Sequence, residues 1–461
     1  MMGCKEEATM LRLTHDQPSL WESVLPPELF HLSEELAEVD RLLDDERFFA
    51  PFKERFSTRM GRPTIPIATY LRMMYLKRRY ELGYETLVRE VKDSLTWRSF
   101  CHLSLEGRVP DDTTLIKLSR KYGDDTLHDV NDALVLKLKE KKVIRGRKFR
   151  MDTTVTEANI HYPTDTGLLA DGVKVITRTV VRLRKLVAGV GQGFVNHTRK
   201  VKKTWLALNK VLKNRVRRGN PALVKAKREI LEVTDDVMAA AKKVQLQLEA
   251  LESKSSRVWR LAKQLDGWLE ATGKVREQTR QVLAGHLHLK KRLVSIFDTK
   301  ARPIRKGKLR VDTEFGRKVL IGETDHGIIT TYEVFEDNPS DTHLLKPAVR
   351  GHRRLFRKRL KAVAGDRGFY SRANEGWLKE GGVKQVSIPV RGKASVEKRA
   401  EQKQPWFRRL QRFRAGVEGR ISLLKRKFGL GRSLMRGGNG TEIWVGQGIF
   451  AHNLWQAARI I

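Results

Sequence analysis

The stretch GRKFRMDTTVTEANI, residues 146–160, decides the fold, because the period of the chain changes there from that of a helix to that of a strand. Apolar or small residues alternate with polar ones along it, at Phe149, Met151, Thr153 and Val155. Such alternation is typical of a strand with one buried face. Asp152 lies on the polar side of this predicted strand. A lone aspartate in a strand is more often solvated than catalytic, so its role depends on the rest of the chain.

A second aspartate follows a short apolar strand farther along. Residues 361–365 (KAVAG) predict the strand, and Asp366 stands at its carboxyl end, directly before Arg367 and Gly368. In α/β sheets, ligands bind where strands end, because the side chains leaving those ends converge on one rim. The other predicted elements of this region are a hairpin, a basic helix and a last strand, over residues 318–332, 341–359 and 384–389.

The stretch QRFRAGVEGRISLLKRKFGL, residues 411–430, contains one acidic residue, Glu418, among many arginines and lysines. Its composition allows a helix over residues 406–428. On such a helix Gln411, Arg414, Glu418 and Lys425 share one face, because their spacings of four and seven residues are close to whole turns. That face presents one carboxylate flanked by cations.

The order of these elements predicts an α/β ribonuclease-H-like core that is interrupted after its first strand. In such a core the first and fourth strands are adjacent and parallel. Asp152 and Asp366 are then neighbours, and the late helix brings Glu418 beside them.

Helices are predicted for the remaining sequence. An acidic leader over residues 1–60 contains an amphipathic helix at 27–46, and residues 61–145 form short helices of the helix-turn-helix kind that could seat one helix in a DNA groove. Seven successive heptad positions from Leu223 to Leu265 are apolar, which predicts one continuous helix from 222 to 266. We therefore predict a helical, coiled-coil-like insertion at 173–300 within a catalytic domain of residues 146–172 and 301–461.

The net charge of the chain indicates what kind of molecule it binds. Lys and Arg total 92 against 54 Asp and Glu, a net charge of +38, and nucleic acid is the obvious polyanion for such a surplus. The sequence has no apolar run of membrane-spanning length and no secretory signal pattern, so we expect no membrane partner and a cytoplasmic location. With two cysteines only, Cys4 and Cys101, a metal would be held by oxygen or histidine ligands.

Several ordered segments resemble the DDE transposases of bacterial insertion sequences, in the insertion-sequence-5 and ISNCY-like group. These are RMDTTVTEANIHYPTDTGLLADG, EFGRKVLIGETDHG, VAGDRGFYS and RFRAGVEGRISLLKRKFGLGR, and GRPTIPIATYLRMMYLKRRYELGYETLVREV resembles the amino-terminal domain of that group. The resemblance implies that Asp152, Asp366 and Glu418 are the catalytic triad. It also places Arg414, Glu418 and Lys425 on a Tyr-Arg-Glu-Lys signature in which Gln411 stands at the tyrosine position.

The resemblance further implies a reaction. The protein would bind the terminal inverted repeats of its element, hydrolyse a phosphodiester to free a 3′-hydroxyl, and join that end to target DNA. Two Mg²⁺ ions about 3.5–4 Å apart would be held by the three carboxylates, with Mn²⁺ as a substitute. Asp152 would bridge both ions, and Arg414, Lys425 and Arg367 would contact DNA phosphates. Synapsis of two ends implies a homodimer or larger assembly, associated with the nucleoid when bound.

Other functions remain open at this point. A basic nucleic-acid-binding protein without catalysis would keep the charge and the helical module, but it would not need three converging carboxylates. An inactivated transposase would have almost the same sequence. A ribonuclease-H-like nuclease or resolvase is disfavoured by the amino-terminal module and by the basic tract at residues 391–436.

Overall fold

The computed structural model describes residues 9–10, 12, 24–53, 62–213, 220–286, 289, 292–305, 313–358, 360–435 and 438–461. Two compact units are present: the first combines Met1–Asn159 with Gly316–Ile461, and the second is Ile160–Phe315. The four-part division predicted from the sequence stays a prediction. Among the described residues, no helix is both long and apolar enough to cross a membrane.

A mixed sheet forms the centre of the first unit. Its principal strands are β1 (Lys148–Ala158), β2 (Thr313–Thr324), β3 (Ile329–Phe335), β4 (Ala362–Ala364) and β5 (Gln385–Ser387). Their order across the sheet is β3-β2-β1-β4-β5, with β1, β2 and β3 antiparallel and β1, β4 and β5 parallel. The predicted adjacency of the first and fourth strands is therefore observed. Both faces of β1 are covered, since Met151 and Val155 on one face and Thr154 and Thr156 on the other are buried.

The helices before β1 pack into one hydrophobic core with the last helix of the chain and one face of the hairpin β2–β3. The longer ones are α1 (Glu34–Leu43), α2 (Ile67–Arg79), α3 (Tyr84–Asp93), α4 (Leu95–Phe100) and α5 (Asp112–Glu140), and the single turn Ala50–Lys53 adds Phe52 to the core. The leader helix is shorter than predicted, because Pro27–Phe30 and Glu46–Phe48 are separate 3₁₀ turns. Conversely, α5 is much longer than the short helices predicted for residues 61–145, and it bends at Gly123, whose φ of 73° is outside the helical range.

The second unit is a helical bundle in which α6 packs against the other three helices. It consists of α6 (Asp165–Arg184), α7 (Thr198–Lys213), α8 (Pro221–Glu249) and α9 (Ser256–Leu283). The prediction of one continuous helix over 222–266 is wrong. The heptad residues Val244 and Val258 are buried on either side of the break, but Ser255 caps α9 by accepting a hydrogen bond from the Val258 amide, 3.3 Å away. Serines that bond locally to the backbone favour helix starts over helix interiors, so hydrophobic periodicity alone missed the break.

Five helices after β3 complete the first unit. They are α10 (Asp341–Phe356), α11 (Arg372–Glu380), α12 (Val396–Lys403), α13 (Pro405–Lys427) and α14 (Gly438–Ala458). Helix α10 packs on β3, α13 lies across β1, β4 and β5, and α14 packs against α5. The position of α13 over β1 and β4 puts its one acidic residue near the two strand aspartates.

Candidate catalytic site

Strand register brings Asp152 and Asp366 to the same level of the sheet. Arg150 of β1 is paired with Ala364 of β4 in parallel, and each aspartate lies two residues farther along its own chain. Neighbouring strands are about 4.8 Å apart. Burial raises the pKa of Asp152 to about 6, and the negative charges of Asp366 and Glu418 add to the rise. The two carboxylates therefore share a partly desolvated site.

A tight turn fixes the Asp366 carboxylate. Its Oδ1 accepts a hydrogen bond from the Gly368 amide at 2.9 Å, at the start of the 3₁₀ turn Arg367–Phe369. A Cβ on residue 368 would lie 2.8 Å from the Asp341 carboxylate and 3.0 Å from that of Asp366, so only glycine leaves both acids in place. Burial raises the pKa of Asp366, with a further rise from Asp341 and a decrease from Arg414.

Gln411 attaches α13 to the carboxyl ends of β4 and β5. Its Nε2 donates to the Ser387 carbonyl at 2.7 Å, and the Ser387 hydroxyl and Gly365 carbonyl lie at 3.0 and 3.4 Å. An amide nitrogen has two N–H groups to donate to these oxygens, whereas a tyrosine hydroxyl has one. The departure from the tyrosine of the signature thus has a structural role in this chain.

A buried ionic cluster holds the same helix against β1 and β2. Glu323 of β2 has no exposed side-chain surface, and it accepts hydrogen bonds from Arg150 at 2.5 Å and from Arg420 of α13 at 3.1 Å. Arg150 also donates to the Phe413 carbonyl, and its guanidinium lies 4.4 Å from the Phe413 ring. Burial raises the pKa of Glu323, although both guanidiniums lower it. Sequence reasoning missed this cluster, because Glu323 precedes a hairpin turn in a polar run.

Gly416 lets the Arg150 guanidinium reach the backbone of α13. A Cβ at residue 416 would overlap with this guanidinium, which Glu323 and the Phe413 carbonyl hold in place, whereas a Cβ at Gly419 would meet nothing within 4 Å. We expect Gly416→Ala to lower the free energy of unfolding by about 1–3 kcal/mol. Gly419→Ala in the same helix should raise it by up to about 1 kcal/mol. Urea unfolding of both variants measures the difference, and equal stabilities would contradict the contact.

Arg414 lies among the three carboxylates. Its guanidinium is 2.9 Å from Glu418 and 4.0 Å from Asp152, and it lowers the pKa of Asp366. Glu418 is the most accessible of the acids, with 60% of its side chain exposed. Three oxygen-ligand residues with two raised pKa values are a donor set that suits hard divalent cations. The predicted triad is thus brought to one region around one arginine.

A second acidic group has a different explanation. In the part of the chain that the structure describes, only Asp40, Asp44 and His102 have ligand atoms all within 4.8 Å of one another. The buried Arg72 already lies between the two carboxylates, 2.6 Å from Asp40 and 2.5 Å from Asp44. This group is therefore an ion-pair cluster between α1 and α2. By the same criterion the three site carboxylates do not meet at a single point.

Comparisons with known families assign the chain. The family model for a transposase domain (DUF772) matches residues 27–121, and the family model for a transposase DDE domain matches residues 289–454. The chain belongs to the DDE transposases of insertion sequences. No curated protein and no solved structure matches it. Within this family, the resemblance to the insertion-sequence-5 group stays a prediction.

The family agrees with the core of the structure. A DDE transposase domain implies a ribonuclease-H-like core, DNA as the partner and divalent metal ions as cofactors. Asp366 and Glu418 lie inside the matched DDE segment, but Asp152 lies outside both matches. In this transposase it is the strand register that relates Asp152 to the matched segment.

The two other predicted phosphate contacts lie in separate cavities of the transposase. Arg367 is exposed and lines a cavity of about 450 Å³ beside Asp366. Lys425 lines a cavity of about 220 Å³ with Lys77 and Arg78. Lys425 is seven residues beyond Glu418, about 10 Å along a helix. Arg367 and Lys425 therefore lie at two different openings.

Lys318, Asp341 and Arg391 line the cavity beside Asp366, and none of them was predicted to lie there. Lys318 is 2.6 Å from Asp341, which also accepts a hydrogen bond from Thr153 at 3.3 Å, and Arg391 is exposed at the rim. Asp341 stands at an ordinary helix start, and Arg391 is one of many cations in the tract of residues 391–436. Only the fold places them near Asp366.

Proposed function

We propose that this transposase binds the terminal inverted repeats of its element, hydrolyses a phosphodiester to free a 3′-hydroxyl and joins that end to target DNA. The observation that carries the proposal is the register of β1 and β4, which puts Asp152 beside Asp366 under the helix that carries Glu418. The residue roles follow from this placement.

Asp152, Asp366 and Glu418 would hold two Mg²⁺ ions, or Mn²⁺ in their place. When bound, such ions activate the attacking water or 3′-hydroxyl and neutralise charge on the phosphate. Arg414 would keep Glu418 oriented and would donate to a phosphate oxygen, since its guanidinium is 2.9 Å from one carboxylate and 4.0 Å from another. A cation bound nearby would favour the ionised form of Asp152, even though burial raises its pKa to about 6.

The cavity beside Asp366 would bind the stretch of DNA backbone next to the reacting phosphate. Arg367 and Arg391 are exposed at this cavity, and Lys318 lies at its wall against Asp341. Flexible cations around an open cavity suit a phosphate backbone whose sequence is not read there. Asp341 would hold Lys318 in a fixed orientation rather than bind an ion itself.

The rest of the chain would supply recognition and assembly. Residues 61–145 would contact the terminal repeats, in agreement with a transposase domain match over residues 27–121. The helical unit between β1 and β2 would act as the insertion domain. Because two ends must be held together for joining, we expect a homodimer or a larger assembly on DNA.

A cleavage assay tests the proposal. A linear DNA that ends in the inverted repeats flanking the gene is incubated with the protein and Mg²⁺, Mn²⁺ or EDTA. We expect nicks that leave 3′-hydroxyls at the repeat ends with either metal, joined products when a target plasmid is added, and no product in EDTA. Cleavage of equal rate in EDTA, or cleavage at random positions only, would contradict the proposal.

A further inference from the structure

The cavity of about 220 Å³ at the ends of α2 and α13 lies apart from the candidate catalytic site. The residues of interest in its wall come from α2, from α13 and the loop after it, and from α14: Lys77, Arg78, Lys425, Gly429, Gly431 and Trp444. The glycines keep it open, since a Cβ at Gly429 would lie 3.1 Å from the Arg78 guanidinium and 3.2 Å from the Trp444 ring. The wall thus combines cations with large apolar side chains such as Phe428 and Trp444, and the glycines leave space between them.

Lys77 is buried without an acidic partner. Its residue is 4% exposed, and its Nζ lies 4.5 Å from the centroid of Tyr84 and 4.9 Å from that of Trp444. Among the described residues, its Nζ has neither a hydrogen bond nor an ion pair. Burial lowers the pKa of Lys77 to about 6, and the neighbouring Arg78 adds to the decrease. Buried ammonium groups are normally paired, so an anion bound here would favour the charged form of this lysine.

Arg78 provides a second unsatisfied donor. Its residue is 3% exposed, its guanidinium lies 3.5 Å from the Trp444 ring, and its Nη2 donates to Gln447 at 2.9 Å. Its Nε is buried without a hydrogen-bond partner. Stacking on the indole holds the guanidinium plane in place, which is the arrangement in which an arginine recognises a phosphate with little loss of side-chain freedom.

Helix ends account for part of this charge. Helices α2 and α13 both end beside the cavity, and cations near helix carboxyl termini are favourable. That effect explains basic residues in the last turns, but Lys77 donates to no terminal carbonyl. Of the acids nearby, Glu81 is exposed at the rim and Glu157 pairs with Arg432 at 2.9 Å. Neither neutralises Lys77.

We propose that this cavity is a phosphate site in which Lys77, Arg78 and Lys425 bind a phosphate of the DNA backbone. The volume fits one phosphate with part of its sugar and is too small for a base pair. The proposal rests on the DNA-binding role of the transposase, but it does not depend on the metal site. A contact here would fix the DNA at the junction of the amino-terminal helices and α13, on the helix that also carries Glu418.

Metal-free DNA binding tests the site. Fluorescence anisotropy with a labelled 30-base-pair duplex in EDTA gives the affinity at several salt concentrations for the full chain. Lys77→Met should weaken binding about three- to tenfold and reduce the slope of log affinity against log salt by about one, for any duplex sequence. Lys242→Met, which changes an exposed lysine on α8, is the matched control and should differ less. Lys425→Gln should reproduce the effect of Lys77→Met, which protects the test against a folding defect in one variant.

Calorimetry with inorganic phosphate distinguishes the source of the anion. We expect weak phosphate binding to the unmodified chain that Lys77→Met removes, together with the change in DNA salt slope. Loss of phosphate binding with an unchanged DNA slope would overturn DNA as the ligand. Unchanged DNA slopes and unchanged phosphate binding in both variants would overturn the site. Neither result would bear on metal-dependent cleavage, which is measured separately.

Discussion

Asp152→Asn is expected to reduce metal-dependent cleavage at the repeat ends by more than about 10³-fold, roughly 4 kcal/mol of transition-state stabilisation. The asparagine keeps the size of the side chain. Its Oδ1 can still accept the hydrogen bond that the Thr153 backbone N–H donates to Asp152 at 2.7 Å. The substitution removes one of the three negative charges that would hold the metal ions. DNA affinity in EDTA should stay within about twofold of the unmodified protein.

The same substitution should stabilise the metal-free protein. The Asp152 side chain is 18% exposed, and burial with the nearby acids raises its pKa to about 6. An acid with a raised pKa in the folded state opposes folding increasingly as the pH rises from its unfolded-state pKa to its folded-state pKa, and the full cost applies above the latter. Replacing it should therefore raise the free energy of unfolding at pH 8 by about 1–3 kcal/mol. The gain should shrink as the pH falls from about 6 to about 4 and be absent below that, where the carboxyl is protonated in both states.

Two measurements on one variant separate a catalytic role from a structural one. Loss of cleavage with equal or higher stability supports a ligand role for Asp152. Asp236→Asn, at an exposed position of α8, should change neither quantity and controls for the loss of one negative charge. Cleavage at the unmodified rate in Asp152→Asn would remove this residue from the catalytic site.

Glu323→Gln is expected to lower the free energy of unfolding by about 3–5 kcal/mol, because it leaves Arg150 and Arg420 buried without a counter-charge. The Glu323 side chain has no exposed surface, and the two arginine side chains are 11% and 15% exposed. The effect should be measured by urea unfolding at neutral pH. Cleavage should also fall, because α13 loses the ion pair between Arg420 and Glu323 that attaches it to the sheet.

The matched control for this variant is Glu157→Gln. That carboxylate pairs with Arg432 at 2.9 Å, but the two side chains are 38% and 54% exposed, so the change should stay within about 1 kcal/mol. A loss of less than 1 kcal/mol for Glu323→Gln would show that water reaches the arginines. The ionic cluster would then not position α13.

The site residues that could be predicted are those whose chemical type differs from that of their neighbours in the sequence. Glu418 stands out among cations, and Asp366 follows an apolar strand and precedes Gly368. The same stretches of sequence also predicted a helix and a strand, which are α13 and β4 in the structure. Asp152 was harder to assign, since its relation to Asp366 depends on the pairing of distant strands.

The sequence could not predict contacts that join elements far apart in the chain. Glu323 looks like a polar residue before a turn, and only the packing of α13 makes it the buried partner of Arg150 and Arg420. The role of Gln411 could not be predicted from its departure from the signature, because the oxygen that accepts its hydrogen bond belongs to the backbone of a distant strand. Lys77 occupies an ordinary basic helix end, and its burial depends on Trp444.

The insertion between β1 and β2 has a consequence for protein synthesis. Asp152 pairs across the sheet with Ile321, so β1 has no antiparallel partner until the ribosome has made the whole second unit. At about 5–20 residues per second this delay is on the order of 10 s, and Glu418 follows later still. A nascent or truncated chain that stops before residue 418 lacks Glu418 of the proposed catalytic carboxylates, and it also lacks the last helix, which completes the core of the amino-terminal helices. DNA cutting would then be confined to finished chains.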